Sequence, residues 1–153
     1  MRARDLAQPY ASIGADRDAA TAVRLMIDGR LPGLLVADSE GLPYAILSGD
    51  QVVRAHLPFY VWEDPVLARV IDEPYADRIG QALAGRRIAD CLPPGRPFLP
   101  AVAPDSTAIE VAELMARTRS HLVAVVERRG HGAPRLLGII TTARLLEQLH
   151  SGV

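Results

Sequence analysis

The strongest constraint on the fold is an internal repeat, because residues 16–26 align without a gap on residues 105–115. The identical pairs are Asp16 and Asp105, Ala19 and Ala108, Leu25 and Leu114, and Met26 and Met115. The match continues downstream, where residues 45–48 fall on residues 138–141. A repeated order of patterns indicates two copies of one supersecondary unit that pack on each other.

Each copy predicts the same local structure. Asp16 and Asp105 are the expected N-caps of a helix, with Thr107 and Glu110 as a capping-box alternative in the second copy. The helix is followed by two short apolar runs that favour strands and then by a second helix, and a short first strand would contain Ile13 in the first copy. The predicted order is strand, helix, strand, strand, helix.

Composition and charge exclude several classes of protein. The chain has 153 residues, 49% of them hydrophobic, and a net charge of −1, so it can bury a core but offers no basic field for nucleic acid. Its longest apolar runs are too short for membrane insertion, and its first residues lack the apolar stretch of a signal peptide. We therefore expect a cytoplasmic protein. All 17 basic residues are arginine, which excludes a Walker lysine or a Schiff base.

The titratable residues do not form a recognisable catalytic or metal-binding pattern. The histidines lack metal-ligand spacing, and Cys91, the single cysteine, lacks the sequence context of a nucleophile. The chain also contains no dinucleotide or phosphate-binding glycine motif. We expect no catalytic residue, no metal site and no enzymatic activity.

Residues 138–142, Gly-Ile-Ile-Thr-Thr, and the two helices that carry Leu-Met make the chain resemble a tandem CBS-domain pair, or Bateman module. The resemblance implies an α+β fold in which each repeat is a small, mostly three-stranded sheet packed by two helices. The repeats, residues 1–57 and 87–153, would pair by pseudo-twofold symmetry and be joined by a partly helical connector, residues 58–86.

The resemblance also implies a ligand, although no obligatory cofactor. CBS pairs bind AMP, ADP, ATP or S-adenosylmethionine in clefts between the repeats, where a Thr or Ser is followed three residues later by an Asp that holds the ribose. Ser48 and Thr141 occupy the hydroxyl positions, whereas the Asp positions hold Gln51 and Arg144. The ribose carboxylate is therefore missing from both sites.

Other ligand-binding residues follow from the same mapping. Asp50 lies one residue before the expected acidic position, where an N-cap is the alternative role, and Thr142 adds a second hydroxyl beside Thr141. The apolar walls implied by the resemblance are Ile13, Leu35, Val102 and Ala124. Residues of this kind are more often simply part of the core.

The connector is unusually aromatic for a linker. It contains Phe59, Tyr60, Trp62 and Tyr75, and residues 63–71 and 76–83 have helical patterns separated by a break at residues 72–74. Such a segment buries apolar surface, either against its own module, in dimer contacts or as a cover over a cleft.

Two functional hypotheses remain from the sequence. The first is a stand-alone regulatory module that binds an adenosine-type nucleotide between its repeats and signals to a separate effector protein by a conformational shift. The alternative is a dimerisation or docking module without a ligand. Both predict a homodimer.

Overall fold

The computed structural model describes residues 1–93, 95 and 98–152. The first half contains α1 (Ala3–Leu6), β1 (Ser12–Gly14), α2 (Ala19–Gly29), β2 (Gly33–Ala37), β3 (Pro43–Ser48) and α3 (Gly49–His56). The connector contains α4 (Phe59–Glu63), a 3-10 helix (Pro65–Val70), α5 (Glu73–Arg78) and a second 3-10 helix (Ile79–Gln81). The second half contains α6 (Ile88–Cys91), β4 (Ala101–Val102), α7 (Ala108–Thr118), β5 (Leu122–Glu127), β6 (Arg135–Thr141) and α8 (Thr142–His150).

The strands form two three-stranded sheets of identical topology, ordered β1-β2-β3 and β4-β5-β6. In each sheet the first strand is parallel to the central strand and the third is antiparallel to it. The central strands are buried from end to end or nearly so, which is why they read as continuous apolar runs in the sequence. The α+β fold with two repeated sheet-and-helix units is confirmed.

The helix boundaries correct two of the predicted caps. Asp18, not Asp16, caps α2, and its carboxylate accepts a hydrogen bond from the Ala20 amide at 2.7 Å. A turn closed by the Arg17 amide and the Gly14 carbonyl takes up the preceding residues, so the helix begins later than the alignment suggests.

In the second repeat the capping-box alternative is the correct one. The Glu110 carboxylate accepts from the Thr107 amide at 2.6 Å, and Thr107 Oγ1 accepts from the Glu110 amide at 3.2 Å. The hydrogen bond that the Glu110 carboxylate accepts from the Thr107 amide is the main cause that lowers the pKa of Glu110. Asp105, the predicted cap, instead pairs with the guanidinium of Arg4.

The first helix of each half packs into the core of the other half. Ala3 and Leu6 of α1 are fully buried among α7, β5, β6 and α8, whereas Ile88 and Cys91 of α6 are buried in the core formed by α2, β2, β3 and α3. Equivalent backbone hydrogen bonds hold both crossings: the Ala3 amide donates to the Ser106 carbonyl at 2.8 Å, and the Ile88 amide donates to the Arg17 carbonyl at 3.0 Å. Neither core is therefore complete without a segment from the other repeat.

A third apolar cluster joins the two sheets. It consists of Leu35, Leu122, Ala124 and Ile139, all essentially inaccessible to solvent. Three of these residues come from the central strands, and two of those three, Leu35 and Ala124, occupy equivalent positions in the two repeats. The two sheets consequently form one continuous interior.

The connector buries little of its aromatic content. Val61 and Leu83 are buried, but Phe59 is 70% exposed and Trp62 is 43% exposed. The predicted helix over residues 63–71 is a 3-10 helix, and the predicted break at residues 72–74 is where α5 begins. The Asp64 carboxylate caps this 3-10 helix by accepting a hydrogen bond from the Val66 amide at 3.2 Å.

The packing of α1 and α6 in the core of the other repeat predicts which sheet a core mutation destabilises. Leu6→Ala should cost about 2–5 kcal/mol of the free energy of unfolding, since it opens a cavity in a packed core. The cavity lies in the second repeat, so native-state hydrogen exchange should accelerate in β5 and β6 before β2 and β3. Cys91→Ala, at the equivalent position of α6, is the matched control and should loosen β2 and β3 first. If Leu6→Ala accelerates hydrogen exchange equally in both sheets, the reciprocal packing of α1 and α6 would be contradicted.

Candidate functional site

A cleft of about 410 Å³ lies where the first repeat meets the second. One side is the junction between β3 and α3, and the other is the loop between α7 and β5. The lining residues are Pro32, Ala45, Ile46, Ser48, Asp50, Gln51, Leu92, Pro93, Phe98, Pro100, Thr118, Arg119, Ser120, His121 and Leu122. Three of the residues predicted from the sequence, Ser48, Asp50 and Gln51, are thus brought together on one wall.

The wall from the first repeat is the start of a helix. Ser48 is the N-cap of α3, and its backbone amide donates to the Gln51 side-chain oxygen at 3.1 Å. Because that oxygen is already an acceptor for the backbone, the amide nitrogen of Gln51 is the polar atom left for a ligand. This wall also carries the partial positive charge of a helix N-terminus, with the exposed Asp50 beside it.

The wall from the second repeat is a polar loop that presents positive charge. Arg119 ends α7 with a left-handed backbone, φ 52°, and its side chain and that of His121 are exposed. The Thr118 hydroxyl donates to the Leu114 carbonyl within the last turn of α7 at 2.6 Å, and the Ser120 hydroxyl donates to the Leu122 carbonyl at 2.7 Å. Because these hydroxyl groups already donate within the protein, the Arg119 guanidinium and the His121 imidazole are the groups available to a ligand.

The equivalent junction of the second repeat, between β6 and α8, is arranged differently. Thr141 caps α8 by accepting from the Arg144 amide at 3.1 Å, and Thr142 donates to the His121 carbonyl at 3.3 Å. The Nε of Arg144 is buried without a hydrogen-bond partner in the described chain, while its terminal nitrogen lies 3.6 Å from Glu147. Thr141, Thr142 and Arg144 are not among the described residues that line the cleft beside α3.

Backbone pairing explains why this second junction is closed. Gln8 and Ile139 exchange two hydrogen bonds, at 2.9 and 2.8 Å, and Gly138 permits the approach because a Cβ there would lie 2.8 Å from the Gln8 carbonyl. The repeat alignment puts Ala45 in place of Gly138 and Pro93 in place of Gln8. Proline has no amide hydrogen to donate, and alanine carries a Cβ. The first junction therefore cannot form the pair of backbone hydrogen bonds that closes the second one.

Tyr10 fills the remaining space on the closed side. Its hydroxyl donates to the Gly33 carbonyl at 2.7 Å, and its ring packs on the cluster that joins the two sheets. Partial burial raises the pKa of the Tyr10 phenol, so the hydroxyl stays a donor well above neutral pH. The two clefts are therefore unequal, and the one beside α3 is open.

The four residues expected as apolar walls lie inside the molecule. Ile13 belongs to the core of the first repeat and Val102 packs against that of the second, while Leu35 and Ala124 lie in the cluster between the sheets. None of the four lines the open cleft.

The wall contributed by the other repeat was not predicted from the sequence. Arg119 and His121 belong to a loop with no motif of its own. Pseudo-symmetry was the available signal, since a cleft between two repeats needs one wall from each. The described residues contain no cluster of three or more His, Cys, Asp or Glu side chains suited to a metal, and no helix among them is long and apolar enough to span a membrane.

Comparisons with known proteins agree with this architecture. A family model described as the CBS domain matches residues 95–151. The structure of a CBS domain-containing protein of unknown function from Kribbella flavida is 44% identical, with a TM-score of 0.77 over 97% of this chain and 98% of that one. No curated protein sequence matches the chain.

Two more distant structures share the fold. The CBS domain of a CBS domain-containing membrane protein from Sphaerobacter thermophilus is 23% identical, with a TM-score of 0.65 over 96% of this chain and 86% of that one. CBSX2, solved in complex with AMP, is 15% identical, with a TM-score of 0.68 over 98% of this chain and 96% of that one. The repeated topology, the cleft between the repeats and the close similarity to the Kribbella flavida protein together show that this chain belongs to the CBS-domain family, as a tandem CBS pair.

Proposed function

We propose that this CBS pair is a regulatory module that binds a phosphate-bearing adenosine nucleotide in the cleft beside α3. The observation that carries the proposal is the cleft itself, in which the start of a helix from one repeat faces a cationic loop from the other. Its volume of about 410 Å³ falls in the range of small-molecule sites, roughly 300–1,000 Å³.

The lining of the cleft suits the parts of such a nucleotide. Ile46, Leu122 and the prolines offer apolar surface to an adenine ring. Arg119, His121 and the N-terminus of α3 favour an anion, so a phosphate gains from all three. The complex of the structurally similar CBSX2 with AMP supports the same class of ligand.

The chemistry of the cleft also ranks the candidate ligands. AMP, ADP and ATP carry the phosphates that the arginine and the helix start attract. S-adenosylmethionine carries a sulfonium cation and no phosphate, so it gains less from the same groups. Gln51 replaces the family's ribose carboxylate and offers a neutral donor, which predicts weak discrimination of the ribose hydroxyls.

A ligand in this position contacts both repeats and can therefore bias their relative orientation. The shift is limited by the difference in affinity that the ligand has for the two arrangements. A separate effector protein would respond to the altered surface.

A pair of glycine substitutions tests the site. Arg119→Gly removes the charge while glycine keeps the left-handed backbone, so AMP affinity should fall about tenfold by calorimetry with no loss of stability. Arg30→Gly is the matched control, because Arg30 ends α2 with φ 50° at the equivalent position beside the closed junction. This control should leave AMP affinity unchanged.

Two results would contradict the proposal. An equal effect of Arg30→Gly would show that the nucleotide does not use the open cleft. If AMP, ADP, ATP and S-adenosylmethionine all fail to bind the folded protein at about 1 mM, the ligand-free docking module becomes the better hypothesis. Binding can be followed by thermal denaturation, because a ligand at a hundred times its Kd adds about 2.7 kcal/mol to the free energy of unfolding.

Restoring the missing carboxylate provides a second test. Gln51→Asp should increase the preference for AMP over 2′-deoxy-AMP by about fivefold, since a charged acceptor binds hydroxyls more strongly than an amide. Arg144→Asp introduces a carboxylate at the equivalent position of the closed junction. It should leave the affinities for AMP and for 2′-deoxy-AMP unchanged. Unchanged selectivity in Gln51→Asp would place the ribose elsewhere.

We further propose a homodimer. Val53 on α3 and Leu146 on α8 occupy equivalent positions in the two repeats and are 62% and 50% exposed. An apolar face that recurs on both halves can pair with itself across a twofold axis, which favours a second copy as its partner.

Charge on this face should dissociate the dimer. Val53→Glu combined with Leu146→Glu should yield a monomer by light scattering coupled to size exclusion. Val70→Glu in the connector, at an even more exposed position, is the comparison and should remain dimeric. The opposite result would assign the dimer contacts to the connector.

A further inference from the structure

A second cavity lies outside the cleft, where α3, the connector and the end of α6 converge. Its volume is about 570 Å³, and it is lined by Gln51, Arg54, Ala55, Leu57, Phe59, Trp62, Arg86, Asp90, Cys91, Leu92 and Pro93. Only Gln51, Leu92 and Pro93 border the cleft as well. The connector therefore builds a separate compartment against the first repeat.

The walls of this compartment are mainly apolar and partly aromatic. Phe59 and Trp62 from the connector and Leu92 are among its lining residues, and the two aromatic side chains are substantially exposed. Exposed aromatic surface that surrounds a concavity favours a flat apolar ligand, which can stack on the rings.

Two guanidinium groups give the compartment its charge. Arg54 lies over the Trp62 ring, 4.3 Å from its centroid, and Arg86 is held by the carbonyls of Ala55 at 3.2 Å and Asp90 at 3.4 Å. No ion pair in the described chain involves either arginine.

The one carboxylate in the lining does not cancel this charge. Asp90 accepts from the Arg87 amide at 3.2 Å and lies 3.8 Å from the Arg87 guanidinium. Its charge is thus directed to the start of α6, and the compartment retains two cations for a ligand.

We propose that this compartment binds a small aromatic carboxylate. The ring would lie against Phe59 and Trp62, and the carboxylate would be held by Arg54 and Arg86, whose planar guanidinium groups match its geometry. Because Arg54, Phe59 and Trp62 do not line the cleft, this site and the proposed nucleotide site can succeed or fail independently.

The chain supplies two unique reporters for this site. Trp62 is the only tryptophan and Cys91 the only cysteine, and both line the compartment. The indole N–H of Trp62 gives a single signal in a ¹⁵N-correlated NMR spectrum. Burial raises the pKa of the Cys91 thiol, so its alkylation is slow enough for protection by a ligand to be followed by mass spectrometry.

The experiment compares three probes with the same ring. 2-Naphthoate should shift the Trp62 signal saturably and slow the alkylation of Cys91 by iodoacetamide. 2-Naphthalenemethanol, which is neutral, and 2-naphthylmethylammonium, which is cationic, should bind at least about tenfold more weakly because they cannot pair with the arginines. Equal binding of the three probes, or no shift of the Trp62 signal by naphthoate, would overturn the proposal.

A pair of arginine variants tests whether Arg54 holds the carboxylate of the ligand. Arg54→Met keeps an apolar stem over Trp62 and should weaken 2-naphthoate about tenfold. Arg128→Met in the turn between β5 and β6 makes the same change in net charge and should have no effect. Equal effects of the two variants would overturn the proposal, and if Arg54→Met does not fold, the protection of Cys91 in the unaltered protein decides between the outcomes.

Discussion

Leu6 completes the core of the second repeat, and Cys91, its counterpart, completes the core of the first. This reciprocal packing of short helices is the constraint on which the module depends, since each core would otherwise be open to water. It also sets the spacing of the two sheets, because the segment that leaves each exchanged helix must run back to the first strand of its own repeat. The segment after α1 passes along β6, where Gln8 pairs with Ile139, and the segment after α6 contributes Leu92 and Pro93 to the cleft beside α3.

Small differences in those passing segments decide what each junction can do. On one side Gln8 pairs with Ile139 through two backbone hydrogen bonds, made feasible by Gly138. On the other side Pro93 and Ala45 prevent the same pairing and leave a cleft. A near-symmetric fold thus contains one closed and one open site. This asymmetry makes Arg119 and Arg30, which share a backbone conformation, a useful experimental pair.

The connector adds a feature that the repeats alone lack. It is long enough to fold back on α3, and the stacking of Arg54 on Trp62 ties the two together. The result is an apolar, cationic compartment next to the cleft but built from different side chains. The two compartments adjoin on α3, and Gln51 borders both of them.

The sequence alone determined the repeat, the α+β class and the order of the elements from β1 to α3 and from β4 to α8, because hydrophobic periodicity and the aligned Leu-Met helices are local signals. It did not predict α1 and α6. It predicted Ser48 and Gln51 as ligand-binding residues, and both line the open cleft, but it assigned the same role to Thr141 and Arg144. Only the tertiary structure decided which junction is open, because that depends on whether two distant backbone segments can pair. The exact caps likewise depended on turns such as the one before Asp18, and the wall around Arg119 came from a loop with no motif, brought to the cleft only by the packing of one repeat on the other.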